Sequence, residues 1–149
     1  MSAPVSPHRP IVKSCVADME LACSPGETEP IGASLRYDSR DPWAVTFTFH
    51  EGRSRVDWIF SRDLLNTGVL CASGAGDITV APHPHNQAVT AVEVTGRVGG
   101  EETHATFFFK TNDIAEFLCD TWERVPSGQE DSWVNWRSEY ARLGAGAWE

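Results

Sequence analysis

Lysine is nearly missing from this chain of 149 residues. Lys13 and Lys110 are its only two, and 12 cationic residues stand against 21 acidic ones, for a formal charge of −9. Binding to nucleic acid or an anionic membrane by counterion release needs clustered cations, so this balance argues against a general binder of either. No apolar run approaches the roughly 20 residues needed to cross a bilayer, which argues against direct membrane insertion. The four cysteines, Cys15, Cys23, Cys71 and Cys119, form no C-x-x-C pair of the kind that marks zinc or redox sites. They are expected to be reduced, buried thiols of a cytoplasmic protein. G-x-S-x-G, H-E-x-x-H and closely patterned carboxylate pairs are all missing, so no catalytic residue is assigned and the chain is read as a non-enzyme.

Histidine is no richer in chemistry. His83-Pro84-His85 is the only close pair among five, and no third ligand is placed by spacing, so the pair reads as a solvated loop and neither metal nor cofactor is assigned. The glycine-rich Ser73-Gly74-Ala75-Gly76-Asp77 lacks the Lys-Ser/Thr ending of a phosphate-binding loop and is read as a plain loop. Residues 1–10 hold three prolines and neither an apolar period nor the plan of a signal peptide, and are expected to form a disordered leader. Arg53, Arg55 and Arg62 lie close in sequence and read as a solvated hairpin end.

What is present is alternation. Cys15, Ala17, Met19, Leu21 and Cys23 share one phase of a long first strand. Ile31, Ala33, Leu35 and Tyr37 mark a second, Trp43, Val45, Phe47 and Phe49 a third, and Val56, Trp58 and Phe60 a fourth. A period of two gives each strand one buried and one solvated face, and the turn residues between them favour an antiparallel meander. Ser61 then reads as the N-cap of a helix of about two turns, stopped at Gly68. Three further strands follow, around Ile78 and Val80, around Ala88, Val92 and Val94, and over Thr103 to Lys110, with Gly99-Gly100 as a hairpin turn.

The last strand breaks the rule, because one strand cannot direct Phe107, Phe108 and Phe109 into one core. Phe108 is therefore a candidate contact, either for another subunit or for the helix that follows. That helix carries Ile114, Phe117, Leu118, Thr121, Trp122 and Val125 at helical spacing, and Asp113 with Glu116 is expected to close a capping box. Beyond Pro126 a second helical pattern sets Trp133, Trp136, Tyr140 and Leu143 on one face, which either docks on the body or meets a partner. The organisation expected is a leader over 1–10, an α+β domain over 11–126, and an aromatic helix with a loose tail over 127–149.

Several motifs in fixed order carry a further signal. Leu35-Arg36-Tyr37-Asp38, Asp41-Pro42-Trp43-Ala44-Val45, Phe49-His50, Val56-Asp57-Trp58-Ile59-Phe60, Arg62-Asp63-Leu64-Leu65 and Gly76-Asp77-Ile78 together resemble the SsgA-like sporulation and cell-division proteins of actinomycetes. After the long helix, Pro126-Ser127-Gly128-Gln129-Glu130 departs from the family's usual Pro-Pro-Gly-Thr-Glu. The resemblance implies a whirly-like fold of two antiparallel sheets with helices, assembled as a homotrimer. It also implies a non-enzymatic role in which the protein is recruited to septa and, with related family members, helps place the tubulin-like division GTPase. A single-stranded nucleic-acid binder is the competing expectation, because whirly-like sheets elsewhere do that work.

Overall fold

A computed structural model describes residues 9–98 and 100–134, with the side chains of Glu51, Arg97 and Val98 left aside. Eight strands and two helices follow in order: β1 (Ile11–Leu21), β2 (Thr28–Tyr37), β3 (Ala44–Glu51), β4 (Ser54–Ser61), α1 (Arg62–Leu70), β5 (Ser73–Ala75), β6 (Ile78–His83), β7 (Asn86–Val98), β8 (Glu101–Lys110) and α2 (Thr111–Arg124). A short 3-10 turn over Glu130–Trp133 closes the described chain.

The expected two sheets are one. Its strand order is β4-β3-β2-β1-β8-β7-β6-β5, antiparallel throughout, so two four-stranded meanders join through β1 and β8. The joint is short, pairing only Asp18 with Phe108 through Leu21 with Ala105. The strand around Ile78 and Val80 is thus the sixth, because Ser73–Ala75, expected as loop, pairs with it as a short β5.

The sheet is strongly curled. Neighbouring strands lie about 4.8 Å apart, which would set β3 about 14 Å from β8 in a flat sheet. Instead the Phe47 ring lies 4.9 Å from Phe107 and 5.4 Å from Phe109, and Phe49 lies 4.6 Å from Phe107. These rings meet across a concave interior shared with Ala17, Met19, Leu35, Val45, Val80 and Val92. Alternation leaves the even-numbered β1 positions outside, and Val12 and Val16 are 56% and 63% exposed.

The two helices close the interior. Ser61 caps α1 as expected, its hydroxyl accepting from Leu64 N at 2.9 Å. Gly68 does not stop the helix, however. It is buried against β6, and a Cβ there would run into Val80 Cβ and lie 2.8 Å from Val80 O, so the missing side chain permits close helix–strand approach.

On α2, Ile114, Phe117, Leu118 and Thr121 face the core. The capping box does not form, because the helix begins earlier, with Lys110 at its N-cap and no side-chain cap bond. Glu116 instead accepts from Lys13 Nζ at 2.6 Å, tying α2 to the concave side of β1. That placement leaves Phe108 uncovered by α2, contrary to the intrachain alternative.

Arg62 is the largest departure from expectation. It is 1% exposed, not part of a solvated hairpin end. Its guanidinium donates to Val125 O at 2.7 Å, Thr121 O at 3.4 Å and Glu130 Oε1 at 2.8 Å, and its Cζ stands 5.0 Å from the Tyr37 ring centroid. One side chain thus satisfies the orphan Val125 carbonyl beyond α2 and adds a longer bond to Thr121 O, which already accepts from Val125 N at 2.8 Å, while binding α1, β2 and the Glu130–Trp133 turn together. Burial works against the Glu130 carboxylate, yet backbone N–H groups and Arg62 hold its pKa below the usual value. Burial pushes the Tyr37 phenol up to about 12, against the pull of Arg62, and its hydroxyl donates to Pro42 O at 2.8 Å.

Candidate protein-contact surface

Phe108 points away from the core on the convex face of β8, as the triple phenylalanine demands, while Phe107 and Phe109 are buried. It is half-buried and stands 5.6 Å from the His83 ring at a 60° tilt. A shallow depression of about 300 Å³ surrounds it, lined by Asp18, Glu20, Thr28, His83, Asn86 and Val89. An apolar floor with an acidic rim suits a protein contact that presents an aliphatic stem with a cationic end.

The remaining candidates separate. Trp133 is half-buried and packs against the core cluster, so its indole docks on the body. Trp136 and Tyr140 lie outside the described residues, as do positions 1–8 of the expected leader; Arg9 O accepts from Arg124 at 2.6 Å. His83 and His85 have ring centroids 6.1 Å apart, and His83 Nδ1 accepts from His85 N at 3.1 Å. Among the described residues, no three His, Cys, Asp or Glu side chains are grouped so as to hold a metal.

The thiols are less buried than expected. Cys23, Cys71 and Cys119 are exposed, because Cys23 falls in the turn after β1, Cys71 follows α1, and Cys119 lies on the outer side of α2. Cys15 alone is half-buried, and burial raises its thiol to about 11.

Sequence periodicity missed a second surface at the open end of the curl. There Met19, Leu21, Phe49, Val56, Trp58, Val94, Gly96, Thr103, His104 and Ala105 line a groove of about 510 Å³. Alternation puts Trp58 in the buried phase, yet it is only half-buried because β4 is an outer strand of the sheet. Its Nε1 is buried without a hydrogen-bond acceptor among the described residues. No helix among the described residues is long and apolar enough to cross a membrane.

Comparison with known proteins places this architecture. The family model described as Streptomyces sporulation and cell division protein, SsgA, matches residues 31–130. A sporulation-specific cell division protein SsgB from Saccharopolyspora erythraea is 38% identical over 115 residues, covering 76% of this chain and 79% of that protein. The SsgB of Streptomyces coelicolor is 36% identical over 119 residues, covering 78% and 84%. The crystal structure of an SsgA-like sporulation-specific cell division protein from Thermobifida fusca superposes with a TM-score of 0.71 at 29% identity, covering 93% of this chain and 98% of that one. With the family model matching from β2 through α2 to Glu130, this chain belongs to the SsgA family of sporulation and cell division proteins.

Proposed function

We propose that this protein is a non-enzymatic septation adaptor, recruited from the cytoplasm to division septa, where it helps position the tubulin-like division GTPase. It does so through protein contacts, alongside related family members and as a homo-oligomer, most simply a trimer. The observation that carries the reading is the convex face of the sheet, which leaves Val12, Val16 and Ile59 at 56%, 63% and 70% exposure in a family whose relatives are named as sporulation-specific cell division proteins. Val12 and Val16 share the outer face of β1 and Ile59 stands at the β4 edge, and uncovered apolar side chains on one face suit a protein contact. The whirly-like kinship belongs to the same proposal, supported by two successive four-stranded meanders, each followed by a helix.

Affinity capture of the tagged protein from a sporulating actinomycete tests the role. Recovery of the division GTPase or of other family members is expected, and recovery of neither, with the fluorescent fusion spread evenly through the cell, overturns it. Light scattering tests the assembly. A trimer that weakens in Phe108→Ala is expected, since truncating an aromatic anchor commonly costs about 2 kcal/mol or more. A monomer at high concentration refutes it.

A further inference from the structure

The outer edge of β4 adjoins the apolar groove. Among the described residues β4 pairs with β3 alone. Hydrogen-bonded pairs alternate along an antiparallel ladder. Arg62 N donates to Trp43 O at 2.7 Å, and counting back in twos makes Phe60 with Val45, Trp58 with Phe47 and Val56 with Phe49 the bonded pairs. The backbone groups of Arg55, Asp57 and Ile59 therefore point outward and have no backbone partner among the described residues.

The opposite edge is guarded. It ends in the three-residue β5, and Pro82 interrupts β6 beyond it. β4 runs for eight residues without proline, with Ile59 70% exposed. Its other side chains, Val56 and Trp58, line the groove, where the Trp58 indole N–H lacks an acceptor.

Charge narrows the occupant. Near this edge stand His50 and Arg55 on the convex face and Arg53 in the β3–β4 turn, with Arg36 two strands in, all exposed, among them Asp57. Asp57 accepts from Thr48 Oγ1 at 2.6 Å and pairs with Arg55 Nε at 3.1 Å, so these two charges offset each other and Arg36 and Arg53 carry the excess. A local cationic excess in a chain of net charge −9 selects an anionic partner.

We propose that β4 is a strand-addition site for an extended segment of a partner protein, acidic at the positions facing outward and apolar at the alternate positions that enter the groove. Main-chain hydrogen bonds to Arg55, Asp57 and Ile59 supply affinity, and the apolar groove beside Val56 and Trp58 supplies selection at every second residue. The inference rests on the adaptor reading, because it names the surface through which such a protein takes a partner.

The probe is a fluorescein-labelled heptapeptide alternating valine with glutamate, followed by anisotropy and by the Trp58 indole N–H resonance, identified by its loss in Trp58→Phe. Saturable binding that shifts this resonance is expected, at least about tenfold tighter than for the peptide carrying lysine in place of glutamate at low salt. Ile59→Pro removes only an outward N–H, since Ile59 gives no ladder bond to β3, and should weaken binding by about tenfold with the fold retained.

Should that variant fail to fold, the wild-type protein with a peptide N-methylated at alternate residues makes the same test, and methylation along one edge should abolish binding. Equal binding of the acidic and basic peptides, or binding unaffected by either backbone change, overturns the proposal. So does an assembly that takes no peptide yet dissociates on Ile59→Pro, for a second copy then owns the edge. None of these readouts involves septa, so failure here is distinct from failure to capture division proteins in the cell.

Discussion

Replacing Arg62 by Met removes the guanidinium while keeping most of the volume, and so isolates its polar work. In the variant the Glu130 carboxylate, 7% exposed, loses its cationic partner and the Val125 carbonyl loses its Arg62 donor, while Thr121 O keeps its bond from Val125 N. Breaking a buried ion pair from one side costs about 3–5 kcal/mol. Against a total stability of about 5–15 kcal/mol that is a large fraction. Urea unfolding followed by far-UV circular dichroism should show a lower midpoint with little change in slope, and the melting temperature should fall by on the order of 10 °C.

The double variant Arg62→Met with Glu130→Leu removes both charges and should recover much of the loss, leaving a coupling energy of about 2 kcal/mol or more. The folded pKa of Glu130 is depressed, so the pair contributes stability above the carboxyl's unfolded value of 4.5 and loses it as pH falls through the folded value. The gap between wild type and Arg62→Met should accordingly narrow in acid. A loss below about 1 kcal/mol, or a double variant no better than the single one, would refute the assignment of Arg62 as the clasp of this end of the fold.

Gly68→Ala should cost about 1–3 kcal/mol by overpacking, since its new methyl meets the Val80 side chain and backbone, and unchanged chemical denaturation would contradict that packing. Tyr37 titrates at about 12 in the fold against 10.0 outside it. The stability tied to the neutral phenol is complete below pH 10 and is lost as pH rises through 12, amounting to about 3 kcal/mol, and Tyr37→Phe should flatten that alkaline decline. Labelled single-stranded DNA should show no submicromolar, salt-sensitive binding by anisotropy, because Phe47, Phe49, Phe107 and Phe109 are buried and few cations are available.

Local order was legible in the sequence wherever one strand or one turn determined it. The alternation through Ala17 and Met19, Leu35 and Tyr37, and Val45, Phe47 and Phe49 named the buried face correctly. The Ser61 cap and the outward turn of Phe108 followed from rules that act over a few residues. The single curled sheet did not, because the β1–β8 register joins residues nearly 90 positions apart and four pairs leave no periodic trace.

Arg62 reads as solvated beside a hairpin until the end of α2 and Glu130, 68 residues away, supply its acceptors. Gly68 carries the signal of a helix stop and of a close approach alike, and only the position of Val80 distinguishes them. The groove at the open end depends on the curl, and was hidden for that reason.

The division of labour between the two faces explains how such a sheet is free to act as a contact surface. Both meanders, the α2 stripe and the phenylalanine cluster bury their apolar side chains on the concave side, and Arg62 ties the closed end where α1 and α2 meet. Holding the halves together therefore makes little demand on convex residues beyond the short β1–β8 joint. Val12, Val16 and Ile59 lie outside that network, unlike Phe108, which pairs with Asp18 in the joint, so substitutions at those three positions are expected to move stability within about 0.5 kcal/mol, the range usual for surface positions. A surface decoupled from folding in this way can vary in shape and charge while the concave core stays fixed. On the adaptor proposal, contact specificity would reside on the convex face and the β4 edge, and a partner defect caused by substitution at Val12, Val16 or Ile59 should then be measurable in a protein that remains folded.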